Sequence, residues 1–304
     1  MGMIPDTFVQ GTLAREGESA RLWLTGLPTL VEELMSRWEC TPDGDVTHGR
    51  VGLIVPVQHA RGAAVIKVSF PHPGNVHEPD ALVAWDGRGA VRLYERADAQ
   101  FAMLLERAHP TTLAEESDAI PSDAGRLCRR LAVPASPGLP RLRDRAGEWA
   151  AELRKDAREL AHPLPDPVVD AAVAVIGELG RDQPDVLVHG DFHPSNILRS
   201  EREPWLAVDP KGLVGDPAYD AATFLKPRAL ALMKSGDLVK ALQRELEVFA
   251  DSAELDPERV RLWARLQLVQ AAFHGRRHGF GRARSGPALD RLITFVDQLP
   301  VSWC

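Results

Sequence analysis

The stretch that decides the fold runs from Val186 to Asp220 and reads VLVHGDFHPSNILRSEREPWLAVDPKGLVGDPAYD. An apolar run (Val186, Leu187, Val188) stops at His189 and Gly190, a polar loop follows, and a second apolar run (Leu206, Ala207, Val208) delivers Asp209. Short apolar runs bounded by glycine and proline read as strands, so two strands are predicted to open onto acidic residues. Such loops are common places for chemistry because a rigid scaffold positions them. Asp191, Asn196 and Asp209 together can hold a divalent cation beside a reacting hydroxyl. Magnesium takes hard oxygen ligands, keeps several waters and needs only one or two protein carboxylates besides substrate phosphates. Asn196 and Asp209 meet that need as metal ligands, which leaves Asp191 to accept a proton.

His189, Asp191 and Asn196 at these spacings, followed by Asp209, resemble the catalytic and metal-binding loops of the protein-kinase-like superfamily. The fuller text, HGDFHPSN and then WLAVDPKGLVGDPAYD, is most similar to the aminoglycoside and hydroxyurea phosphotransferases, a group that includes the streptomycin 6-phosphotransferases. Gly190 stands where protein kinases carry arginine, and Pro210 and Lys211 replace Phe and Gly after Asp209. Both changes are usual among antibiotic kinases and argue against a protein substrate. The resemblance implies an α+β, protein-kinase-like bilobal fold: a small N-lobe with an antiparallel sheet, and a larger, mainly helical C-lobe. It also implies ATP and magnesium as cofactors, Asp191 as the base on an acceptor hydroxyl, and His189 as a structural group of the loop.

Upstream, VGLIVPVQHA and AAVIKVSF read as two strands joined by a turn at Arg61 and Gly62. Lys67 lies inside the second with apolar neighbours Val65, Ile66 and Val68. An unpaired ammonium is costly to bury there, so the position asks for an anion. By the resemblance that anion is the α- and β-phosphates of ATP, with Glu78 holding the ammonium in place. Glu78 precedes Pro79 at the start of a helix through EPDALVAWDG, earlier in the helix than the usual kinase partner. TPDGDVTHGR occupies the place of a phosphate-covering loop without a GxGxxG pattern, and reads equally as a plain hairpin turn.

AVRLYER and FAMLLERA add two more strands, for a small sheet of about five. In the family the last of these ends in the hinge whose backbone binds adenine, here from Glu106 to Ala108. The pattern then turns from strand to helix, which divides the chain into a nucleotide-binding N-lobe at 1–108 and a catalytic, acceptor-binding C-lobe at 109–304. The first twenty residues read as a loosely held lead-in, followed by an amphipathic helix starting near Pro28 and carrying Leu30, Val31, Leu34, Met35 and Trp38. Helical spacing dominates the second part outside the Val186–Asp220 stretch, and the charged outer face from Leu142 to Leu160 reads as solvated.

The chain has 304 residues, 44% hydrophobic content and a formal net charge of -7, enough for a sizeable core and without general attraction for nucleic acid or an anionic membrane. No apolar run suffices to span a bilayer and the N-terminus lacks a signal-peptide layout, so a cytoplasmic protein, monomeric or weakly dimeric, is expected. Cys40, Cys128 and Cys304, odd in number and without a CxxC pair, read as free thiols. The basic run Arg276, Arg277, His278, Arg282, Arg284 reads as a solvated helix end favoured by the dipole.

The partners expected are a nucleotide and a small-molecule acceptor. Asp216 and Asp220 read as helix cap and loop anchor, or as contacts to a cationic acceptor such as streptomycin, whose guanidinium groups suit carboxylates. Hydroxyurea, small and neutral, would not need them, and an amino sugar is a further acceptor class. Gln270 and His274 share a helix face with Trp263 and Gln267, a face that lines the acceptor cleft in the family. Two other readings of the same letters exist. His189, Asp191 and His193 spell H-x-D-x-H, which on an extended segment could serve a zinc- or iron-dependent hydrolase, although Lys67 then has no role. The second is a kinase-shaped binding protein without activity, against which stands the complete set of key groups.

Overall fold

The computed structural model describes residues 4–116, 120–160, 164–180, 182–232 and 237–278. The chain forms two compact units, the first from residues 1–111 and 198–211, the second from 112–197 and 212–304.

The first unit begins with helices α1 (Asp6–Glu16) and α2 (Ser19–Arg37). The expected lead-in is therefore a helix: Phe8 is buried against Trp23 and His48, and Thr12 is buried beside it, so two inward positions suffice to hold α1. Pro28 lies inside α2 and does not start it, since Ala20, Leu24, Leu27, Val31 and Leu34 form one buried stripe running through the proline. Six strands follow: β1 (Thr41–Pro42), β2 (Thr47–His48), β3 (Gly52–His59), β4 (Gly62–Ser69), β5 (Leu93–Ala97) and β6 (Ala102–Glu106). They make one antiparallel sheet in the order β1-β3-β4-β6-β5, with β2 also on β3. The TPDGDVTHGR segment thus supplies two short exposed strands laid along β3. Helix α3 (Glu78–Trp85) sits between β4 and β5 in sequence. A core of Leu27, Val31, Leu53, Val55, Ile66, Val68 and Leu104 joins α2 to the sheet.

The second unit opens with helices α4 (Ile120–Leu131), α5 (Ala146–Glu159) and α6 (Asp166–Leu179), then strand β7 (Leu187–Val188). The chain next forms a hairpin of β8 (Ile197–Arg199) and β9 (Trp205–Ala207), whose residues from 198 to 211 belong to the first unit. There Ala207 bridges Ala90, with its N–H donated to Gly89 O at 2.8 Å. The second unit resumes with β10 (Leu213–Val214), antiparallel to β7, and ends in α7 (Ala218–Ala231), α8 (Leu238–Ala253) and α9 (Pro257–His278). Among the described residues no helix is long and apolar enough to cross a membrane.

Two sequence expectations change here. Asp156, on the supposedly solvated face of α5, is buried and accepts a bidentate pair of bonds from Arg277. The basic end of α9 is accordingly part of the α5–α9 packing at that position; Arg282 and Arg284 lie outside the described residues. Cys40 and Cys128 are free thiols, and burial raises the Cys128 pKa well above its ordinary value; Cys304 is likewise outside the described residues.

Candidate active site

In the first unit, β4 occupies the middle of the sheet, with Lys67 opposite Ile54 on β3 and Met103 on β6. This placement buries the ammonium (5% exposed), and it finds two carboxylates. Nζ donates to Glu78 Oε1 at 2.5 Å and to Asp209 Oδ1 in a still shorter contact. Glu78 itself is 2% exposed and is the first residue of α3. Burial lowers the Lys67 pKa, and the Glu78 charge and hydrogen bond oppose that shift. Lys67, Glu78 and Asp209, of which the sequence reading paired only the first two, thus form one ion cluster.

Asp209 takes a left-handed backbone (φ 62°) two residues after the apolar Trp205–Ala207 strand. A non-glycine residue in that region is strained, and the ion pair with Lys67 is one contact that holds it. Gly52 on β3 passes over the Lys67 stem so closely that a Cβ there would lie 3.3 Å from Lys67 Cε and 3.0 Å from Ser69 Oγ.

Glu106, at the end of β6, is not a free carboxylate. It accepts Arg202 Nε at 2.9 Å and Nη2 at 2.8 Å, together with the Arg92 N–H at 3.0 Å. Burial alone would raise its pKa, but these bonds outweigh burial and hold it below the ordinary value. The backbone of the same segment is partly engaged as well, since the Glu106 N–H donates to Arg92 O at 2.9 Å and the Arg107 N–H to Ala63 O at 3.3 Å. Ala108 is half-buried, and the next residue donates its N–H to Arg199 O at 2.9 Å.

In the second unit, the loop after β7 is built from within. Gly190 adopts φ 81°, a left-handed conformation that favours glycine. His189 is fully buried; its Nδ1 accepts the Asp191 N–H at 3.2 Å and its ring packs against Phe192. Asn196 Nδ2 donates to the Asp191 carbonyl at 3.0 Å, which engages the nitrogen side of the carboxamide. The Asp191 carboxylate keeps 38% side-chain exposure, with His193 Nε2 at 3.7 Å. A buried, internally bonded His189 does not share a metal-facing side with His193, and among the described residues no three His, Cys, Asp or Glu side chains are grouped to hold a metal ion. The hard oxygens of Asn196 and Asp209 do suit magnesium.

Asp220, at the first turn of α7, accepts the His189 N–H at 2.6 Å and the Gly190 N–H at 2.8 Å. Burial pushes its pKa up to about 7, against the pull of those two N–H bonds. Asp216 caps the same helix by accepting Ala218 N–H at 3.0 Å, and it also accepts Trp263 Nε1 at 2.6 Å and the Arg259 guanidinium. Both aspartates therefore stand in the capping and anchoring positions. Trp263 is core, edge-on to Tyr219 and Trp149. Gln267 is buried and donates to Tyr219 O at 3.0 Å, whereas Gln270 is half-buried and His274 is exposed beside His278. Sequence reading missed Arg202 and Arg259, whose partners are distant in the chain; only their position in otherwise polar turns and helix ends was visible.

Residues 37–279 match the family described as "Aminoglycoside/hydroxyurea antibiotic resistance kinase". The streptomycin 6-kinase of Streptomyces griseus is 35% identical over 272 residues, covering 88% of this chain and 89% of the relative. The hydroxyurea phosphotransferase of Kitasatospora aureofaciens is 35% identical over 278 residues, covering 88% and 78%. Among solved structures, the choline kinase LicA from Streptococcus pneumoniae is similar with TM-score 0.58 at 13% identity, over 90% of this chain and 98% of that one. An aminoglycoside phosphotransferase solved in a ternary complex with ADP and hygromycin B gives TM-score 0.57 at 12% identity, over 89% and 97%. At such identities the solved structures speak for the fold alone.

Proposed function

The chain belongs to the aminoglycoside/hydroxyurea antibiotic resistance kinase family, and from that premise we propose that it transfers the γ-phosphate of ATP to a hydroxyl of an aminoglycoside such as streptomycin. The observation that carries this reading is the buried Lys67 ammonium held by Glu78 and Asp209 on the middle strand of the sheet. Phosphoryl transfer needs little covalent work from a protein; it needs alignment and cations against the phosphate charge.

Each residue has one task. Lys67, kept in place by Glu78, binds the α- and β-phosphates. The backbone of Glu106 to Ala108 takes the nucleobase, the Glu106 carboxylate being occupied by Arg202. Asn196 and Asp209 are the ligands proposed for magnesium, which when bound offsets negative charge on the phosphates. Asp191, the half-buried carboxylate of the loop, orients the acceptor hydroxyl and takes its proton as the oxygen bonds to the γ-phosphorus and ADP departs. Gln270 and His274 are acceptor contacts from α9, while Asp216 and Asp220 act by holding the loop and the start of α7. The first unit, 1–111 with 198–211, serves as the nucleotide-binding lobe, and the second, 112–197 with 212–304, as the catalytic, acceptor-binding lobe of a cytoplasmic enzyme.

Hydroxyurea is the second acceptor to consider, because a hydroxyurea phosphotransferase is as similar in identity as the streptomycin kinases. ADP release measured with MgATP and a panel of streptomycin, other aminoglycosides, hydroxyurea and amino sugars tests both. Streptomycin is expected to give the highest kcat/KM. Turnover confined to hydroxyurea would replace the aminoglycoside reading.

A further inference from the structure

Arg202 lies in the turn between β8 and β9, in the excursion that carries the chain from Asn196 to Asp209. Its side chain is about three-quarters buried and every arm of the guanidinium has a partner. Nε and Nη2 clasp the two oxygens of Glu106 at 2.9 and 2.8 Å, Nη1 donates to Gly87 O at 2.6 Å, and Nη2 also donates to Ala90 O at 3.0 Å. Nη1 further meets Glu203 at 2.5 Å. An exposed single ion pair contributes little, but a planar fork on a carboxylate with added backbone acceptors is geometrically specific and cannot be copied by lysine.

The partners matter because of where they lie. Glu106 ends β6, the strand leading into the segment assigned to the nucleobase. Gly87 and Ala90 flank the turn that leaves α3, the helix headed by Glu78, and Ala90 is also the bridge partner of Ala207 on β9. Two residues beyond Ala207 stands Asp209, paired with Lys67. One side chain thus ties the base-binding strand end, the exit of α3 and the Asp209 hairpin together.

We propose that Arg202 is a positioning residue for the nucleotide, fixing the backbone of residues 106–108 and the Asp209 hairpin to one another through Glu106 and the carbonyls of Gly87 and Ala90. Arg202 acts here through its neighbours. The inference rests on the nucleotide role proposed for the first unit.

The test measures ATP binding by calorimetry in the presence of magnesium, and the KM values for ATP and for the acceptor, in Arg202→Met, Glu106→Gln, the double variant and Arg202→Lys. Losing bonds to a charged partner is expected to weaken ATP binding and raise the ATP KM about tenfold, with the acceptor KM within about twofold. The double variant should be no worse than the worse single one, because both remove the same clasp. Arg202→Lys keeps the charge and most of the stem, so it guards against simple unfolding, and about a fivefold loss is expected from it. Unchanged ATP affinity in folded Arg202→Lys, a parallel rise in both KM values, or additive single effects would overturn the proposal while leaving the phosphotransferase reading intact. A wild-type protein that binds no ATP would overturn both.

Discussion

Asp220 shows how much of a site is decided by a residue that need never touch a substrate. Its two oxygens take the N–H groups of His189 and Gly190, so the loop bearing Asp191 is hung from the first turn of α7. Sequence displayed an acid after Pro217 but not its partners some thirty residues earlier, because that pairing depends on tertiary placement alone. Burial keeps its pKa at about 7 in the folded chain against 3.8 for an exposed aspartate. The unfolded chain therefore loses this proton first as pH rises. The stability contributed by Asp220 falls across the window between those values and is constant above it. In Asp220→Asn the group no longer titrates, so the stability advantage of the wild type over this variant should shrink as pH rises from about 4 to 7. Urea unfolding of both proteins at a series of pH values reads the gap directly; a gap that stays flat across the window means Asp220 is already ionised in the fold at acid pH. Asp191, Asn196, Lys67 and Asp209 could be singled out by residue type and spacing, whereas Arg202 could not, since an arginine in a polar turn looks like any other.

At the scale of elements, strands and most helices could be read because their apolar spacing matches their burial. The failures were at the N-terminus. Helix α1 buries only Phe8 and Thr12 of its own residues, too thin a stripe to stand out against its polar letters. Pro28 looked like a helix start because proline fits a first turn, yet flanking burial carries α2 through it. Close packing between helices was equally hidden. Gly125 on α4 faces α8 so tightly that an added Cβ would lie 2.6 Å from Phe249 O and 2.8 Å from Ser252 Cβ. Gly125→Ala must push the two helices apart, and it is expected to destabilise the protein by about 1–3 kcal/mol despite alanine's better helix propensity. Thermal unfolding checks this: a melting temperature equal to or above wild type would show that the α4–α8 contact is looser than described.

For the molecule as a whole, the chain order conceals the assembly. Residues 198–211 leave the second unit, join the first, and bring Asp209 to a lysine 142 positions earlier. Composition and periodicity gave two compositional halves, but the return of a short hairpin to the first is a long-range fact that local pattern cannot carry. The consequence is chemical: the first unit holds Lys67, Glu78 and Asp209, and the second holds Asp191 and Asn196. The proposed phosphotransferase needs the groups of both units to serve one reaction. The most direct measurement of that claim is magnesium-dependent ADP release with streptomycin, run side by side on wild type and Asp191→Ala, with ATP affinity of both measured by calorimetry. The account predicts turnover in the wild type, a loss of at least about a hundredfold in kcat for Asp191→Ala, and ATP affinity within about threefold between them. Full turnover in Asp191→Ala, or equal loss of ATP affinity and rate, would contradict it.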